Sequence, residues 1–237
     1  MRDYIILNGV NSNTITGLLI SKLPPITKPK QRTQIEEIDG RDGDIVTKLG
    51  YSAYDKEIEI GLYGDFDIDD VMTFFNGEGT VTFSNEEDKY YNYQILDQID
   101  YEKLIRFKTA KVKMHVQPFK YSAVEGTRTF TISSEEEITI NNSGNYVSKP
   151  VVTINGTGTI NLEVNGYEVL VINLGDSANT VTIDTANMEA YNQNTGQLMN
   201  RDVTGDYDNL YLNAGKNIIS WTGTITQIQI TNYSRWL

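Results

Sequence analysis

Apolar and polar residues alternate with a period of two along much of this 237-residue chain, and that pattern points to half-buried β-strands. Val112, Met114 and Val116 alternate with Lys111, Lys113, His115 and Gln117, while Ile58, Ile60 and Leu62 share one face of YSAYDKEIEIGLYG. Strands of this kind bury one face and wet the other, so they need sheet partners and an apolar layer to pack on. From Pro150 onward there is no further proline and almost no helical period. VVTIN, TINLEV, YEVLVINL, TVTID, MEAYN, LYLN, NIISWTG and ITQIQITNY follow at the short, regular spacing of a β-sandwich. Asn155-Gly156 and Asn165-Gly166 both read as hairpin turns of type I′, in which the two central residues need positive φ.

The first half is organised differently. SKLPPITKPKQRTQ holds Pro24, Pro25 and Pro29 and shows no helical or strand period, which predicts an extended, exposed segment. IDGRDGD follows as a turn cluster. In DFDIDDVMTFFNGEGTVTFS, Asp67 is placed to accept from free amides at a helix start, with Asp69 and Asp70 in the first turn and Gly77 at the end. One short helix is expected there. YYNYQILDQIDYEKLIRFKTAKVKMHVQPFKY predicts two long strands joined near Asp100–Lys103. After Tyr121 the composition turns to Ser, Thr, Glu and Asn, so a boundary is expected within 122–149, with domains at 1–130 and 131–237. The expected fold class is mainly β: a β-rich first domain with one short helix, then a β-sandwich.

Composition removes several functions. Cysteine is absent and His115 is the lone histidine, on the polar side of its strand, so thiolate chemistry and His/Cys metal sites lack ligands. DFDIDD spaces its acids like a calcium loop, but Asp70 stands where that loop needs Gly and Asn76 where it needs Glu. Gly77–Gly79 follows a helix, whereas phosphate cradles precede one. A net charge of -12 opposes a phosphate-gripping surface, and no apolar run reaches the ~18 residues of a membrane span. The short apolar patch in MRDYIILNG is too small for an export signal. No catalytic residue, cofactor or metal is expected, and neither sequence-specific nucleic-acid binding nor membrane insertion. Tyr191, Tyr207 and Trp221 are the candidates for sugar or partner contact, since aromatic rings can stack on sugars; the competing reading places Trp221 and Tyr211 in the core.

Several stretches together resemble the distal tail (Dit) proteins of siphophages that infect Gram-positive bacteria. They are KLPPITKP, IDGRDG, FFNGEGTVTFS, the run from YQILDQIDYEKLIRF to Pro118-Phe119-Lys120-Tyr121, then NYVSKPVVTINGTGTINLEVNG, VTIDTANMEAYN and LNAGKNIISWTG. Their order extends over nearly the whole chain. The resemblance implies a first domain that builds a hexameric ring at the end of the tail tube and a second, galectin-like or carbohydrate-module-like sandwich on the outside. It implies as partners the tail tube protein, the tail-associated tip protein, the tape measure protein and, in some members, a receptor-binding protein. The expected place is the distal end of the virion tail, after synthesis in the host cytoplasm. Pro24, Pro25, Arg41 and Asp42 are the candidate ring-interface residues. The alternative is an adhesion module that binds host cell-wall saccharide through the second domain.

Overall fold

In the computed structural model, which describes residues 2–177 and 179–237, the chain divides into two compact units, one up to Ala123 and one from Val124 to Trp236. Both are mainly β.

The first unit contains β1 (Ile5–Leu7), β2 (Val10–Asn11), β3 (Leu18–Lys22), β4 (Gln31–Glu37), β5 (Asp44–Tyr51), β6 (Tyr54–Leu62), α1 (Ile68–Phe74), β7 (Glu78–Phe83), β8 (Lys89–Gln94), α2 (Tyr101–Phe107) and β9 (Thr109–Ser122). Its main sheet is antiparallel, in the order β2-β1-β7-β8-β9-β6-β3. The period-two reading holds where the sheet is deepest. Ile58 of β6 lies opposite Val112 of β9, and both are fully buried with Ile60, Met114 and Val116. The outward residues of the same strands form a charge ladder, with Lys111 on Glu57 at 2.6 Å and Lys113 bridging Asp55 and Asp97 at 2.9 and 3.0 Å.

α1 forms as expected: the Asp67 side chain accepts from the Asp69 amide, Val71 and Phe74 face the core, and Gly77 at φ 86° turns the chain away. The join at Asp100–Lys103 is instead a second helix, α2. Asp100 caps it by accepting from the Lys103 amide at 2.8 Å, and Leu104 anchors it in the core. The segment after the prolines also differs from expectation. Residues 31–37 are a strand, paired with β5 in a separate two-stranded sheet whose tip is the IDGRDG turn.

The second unit contains β10 (Arg128–Thr131), β11 (Glu137–Asn142), β12 (Val151–Val164), β13 (Tyr167–Asn173), β14 (Asn179–Asp184), β15 (Glu189–Tyr191), β16 (Val203–Gly205) and β17 (Gly215–Thr231). Its architecture depends on two long strands, β12 and β17, which pair with each other almost end to end. The first half of β12 and the second half of β17 lie in the order β15-β14-β12-β17-β10. Their other halves lie in the order β16-β13-β12-β17-β11. Both sets feed one core, in which Ile154, Ile183 and Ile228 meet Ile160, Leu170, Ile172 and Ile219. One hydrogen-bonded sheet has thus folded over on itself to give two layers.

Where the sheet folds, small residues are required. The register shifts at Asn155/Gly156 and again between Thr157 and Asn161. A Cβ on Gly156 would sit 2.3 Å from the Thr224 carbonyl oxygen, and one on Gly223, at φ 99°, would sit 2.4 Å from that of Thr159. Asn155-Gly156 is therefore not a hairpin turn. It lies inside β12, with Gly156 selected for close backbone approach rather than for positive φ. Asn165-Gly166 is a turn, with φ values of 54° and 82° between β12 and β13.

Candidate functional site

The least satisfied part of the first unit is the β4–β5 sheet. None of residues 31–50 is buried. Ile35 and Val46 face each other across the two strands and are 59% and 55% exposed; Ile38 and Leu49 are also about half exposed. A lone two-stranded sheet has only marginal stability in water and presents unpaired amides and carbonyls along both edges. Apolar side chains on such an element, with nothing in the same unit burying them, mark a surface suited to a partner. Arg41 and Asp42 sit exposed at its tip, where another chain can reach them.

Pro24 and Pro25 lie at the root of this element, where their carbonyls make local contacts. The Pro25 carbonyl accepts from the Lys56 ammonium at 2.9 Å, and the Pro24 carbonyl accepts from the Asn85 amide at 3.2 Å. Pro24 itself is buried. Lys56 is buried among Tyr54, Phe83 and Tyr91, with its ammonium 4.9 Å from the Tyr91 ring centre. Burial, reinforced by the neighbouring Lys120 charge and only partly offset by Glu86, lowers its pKa to about 8. This cluster fastens the start of the arm to the body of the unit.

His115 also has a local role. Its Nδ1 lies 2.8 Å from Asp55 Oδ1 on the outer face of the sheet. That contact first, and then the Lys113 ammonium, hold the Asp55 carboxyl below the usual range. Among the described residues, no group of three or more His, Asp or Glu side chains is gathered as a metal site would require.

In the second unit the three aromatic candidates are not brought together. Trp221 is 4% exposed and packs in the core, so it has no ring face open to a ligand; the reading of it as a sugar contact is corrected to a core residue. Tyr207 is half-buried against that core, its hydroxyl enclosed without a hydrogen-bond partner. Tyr191 is half-buried on β15, next to Leu198. The exposed rings are elsewhere, at Tyr167, Tyr211 and Tyr233.

No protein-family model and no curated protein matches the chain. Solved structures do. The crystal structure of the Dit protein of phage SPP1, described as a paradigm of the hub adsorption apparatus in phages infecting Gram-positive bacteria, aligns over 100% of both chains, with a TM-score of 0.69 at 14% identity. The fold is Dit-like. A chain of the phage P2 baseplate in its activated conformation with Ca aligns over 97% of each chain, with a TM-score of 0.54 at 11% identity. The likeness to the Dit protein extends over the length of both units.

Proposed function

We propose that this Dit-like chain is a structural hub of a phage tail tip, without catalytic activity of its own. Copies of it close into a hexameric ring at the distal end of the tail tube, joining the tube to the tip and host-adsorption proteins. The observation that carries the reading is the exposed β4–β5 sheet. Its Ile35–Val46 pair and its open edges need an occupant, and a neighbouring copy in a closed ring supplies one to every subunit. The end-to-end likeness to the SPP1 hub protein supports the same assignment. On this reading the tail tube protein, the tail-associated tip protein and the tape measure protein are the contacts along the ring axis. A receptor-binding protein docks on the outside, and the protein acts in the virion after synthesis in the host cytoplasm.

Native mass spectrometry and negative-stain microscopy of the full chain test the ring. The expected species is six-fold, and Ile35→Asp together with Val46→Asp should reduce it to monomer while leaving the circular dichroism of the fold unchanged. A wild-type protein that stays monomeric at high concentration, with no ring in the images, would sink the proposal.

A further inference from the structure

The second unit carries an open groove of about 430 Å³ where the β12–β13 hairpin meets the loop before β17. This is within the range of ligand-sized clefts, roughly 300–1,000 Å³. Tyr167, Glu168, Asn209, Tyr211 and Asn213 line it, with Val169 beneath them. Tyr167 is 76% exposed, so its ring face is open to a ligand. Among the described residues, the Glu168 carboxylate and the Asn213 side-chain amide make no hydrogen bond within the protein and remain available to a ligand.

The walls of the groove are fixed in advance. On the hairpin side, Asn165 accepts from the Ile218 amide at 2.9 Å and donates to Asn217 Oδ1 at 3.0 Å, locking the turn. On the loop side, the fully buried Asn217 accepts from the Asn213 amide and donates to the carbonyls of Asn213 and Gly215, all within 2.9 Å. The backbone carrying the lining is thus held in place, and a ligand has only the exposed side chains left to order.

The lining selects the chemistry. It contains no Lys, Arg or His and one carboxylate, so it repels phosphates and other anions. Its polar character is poor for a purely apolar guest. Two exposed phenol rings, amides that both donate and accept, and a carboxylate that accepts strongly match a ligand that is apolar on its C–H faces and dense in hydroxyls at its rim. We infer that this groove is a binding site for a neutral saccharide, held between Tyr167 and Tyr211 with its hydroxyls on Glu168, Asn209 and Asn213. The site is separate from Tyr191, Tyr207 and Trp221 and stands whether or not the chain forms a ring.

Saturation-transfer NMR on the full chain tests it, with glucose, galactose, rhamnose, N-acetylglucosamine, lactose and maltose as probes at millimolar concentration. Saturation of the tyrosine ring protons is expected to reach the C–H protons of at least one probe. Tyr167→Ala and Tyr211→Ala should each weaken that binding about tenfold, the loss expected for one aromatic contact. Glu168→Gln should weaken it too, while Tyr191→Ala should leave it unchanged. Tyr167 is the most exposed of the three tyrosines, so its variant keeps the test valid even if Tyr211→Ala disturbs the fold. Absence of transfer to every probe, or binding that survives Tyr167→Ala at full strength, would overturn the assignment.

Discussion

Lys120 Nζ lies 2.6 Å from Glu86 Oε1, with the two side chains only 10% and 11% exposed. The other carboxylate oxygen accepts from the Tyr91 hydroxyl at 3.0 Å, and the buried Lys56 lies close enough to Glu86 for the two charges to attract. One carboxylate therefore compensates two ammonium groups inside the first unit. Removing its charge leaves both without a counterion, and breaking a buried pair from one side costs about 3–5 kcal/mol. Glu86→Gln is expected to lower the free energy of unfolding by about 3 kcal/mol in urea titrations, near the bottom of that range because the amide keeps a hydrogen-bonding oxygen. Glu37→Gln, on the exposed arm, should change it by less than about 0.5 kcal/mol. Equal effects at the two positions would show that the pair does not stabilise the unit.

Lys56 gives the protein a signature in alkaline solution. Its pKa is about 8 in the folded chain against an ordinary 10.5, with burial the leading cause. Above pH 8 the folded state has released a proton that the unfolded state still holds, so unfolding takes up protons and stability rises with pH. The penalty for charging a buried lysine is fully present below pH 8 and disappears on approach to 10.5. Burial raises the pKa of Tyr54 and Tyr91, and this opposes the trend once unfolded tyrosines ionise near pH 10. The clean window is therefore about pH 7.5–9.5. Across it the midpoint of urea unfolding should climb in the wild type and stay flatter in Lys56→Met. An identical slope in both proteins would assign the pH dependence elsewhere.

How much of this was legible in the sequence depended on whether each signal is local. Asp67, Asp70 and Gly77 lie in or beside one helix and specify its start and stop chemically, so α1 could be read directly. The alternation of β6 and β9 could be read because each strand has one buried and one wet face. α2 was hidden: it ends on Lys108 in the left-handed conformation rather than on a glycine, and buries just Leu104 fully. β4 was hidden because neither of its faces is buried within the chain, which removes the pattern that marks a strand. The two Asn-Gly pairs show the limit most clearly. Asn165-Gly166 answers a local demand for positive φ, whereas Gly156 answers a contact with Thr224 nearly seventy residues away in sequence. For the same reason the aromatic residues named from sequence missed the groove. Which tyrosines end up exposed beside free carboxylate and amide groups depends on how β12 and β17 fold over.

That folding over depends on two glycines, which makes it testable by adding one methyl group at a time. At Gly223, with φ 99°, an added methyl carbon would lie 2.4 Å from backbone; at Gly156, where φ is ordinary, it would lie 2.3 Å from backbone. Backbone on the opposite strand cannot rotate aside as a side chain can, so the layers would have to part. Overpacking of this kind costs about 1–3 kcal/mol, and positive φ adds roughly 1–2 kcal/mol for an L side chain. Gly223→Ala is therefore expected to lose the most stability, about 3 kcal/mol or more, with Gly156→Ala losing somewhat less. Gly126→Ala, which meets nothing within 4 Å and needs no positive φ, should be close to neutral. Urea unfolding followed by Trp221 fluorescence, in a Trp236→Phe background that removes the second tryptophan, reports on this core directly, because the Trp221 ring packs in it. If Gly223→Ala proved as benign as Gly126→Ala, the shared strands could bend without a glycine, and the account of how one sheet makes two layers would fail.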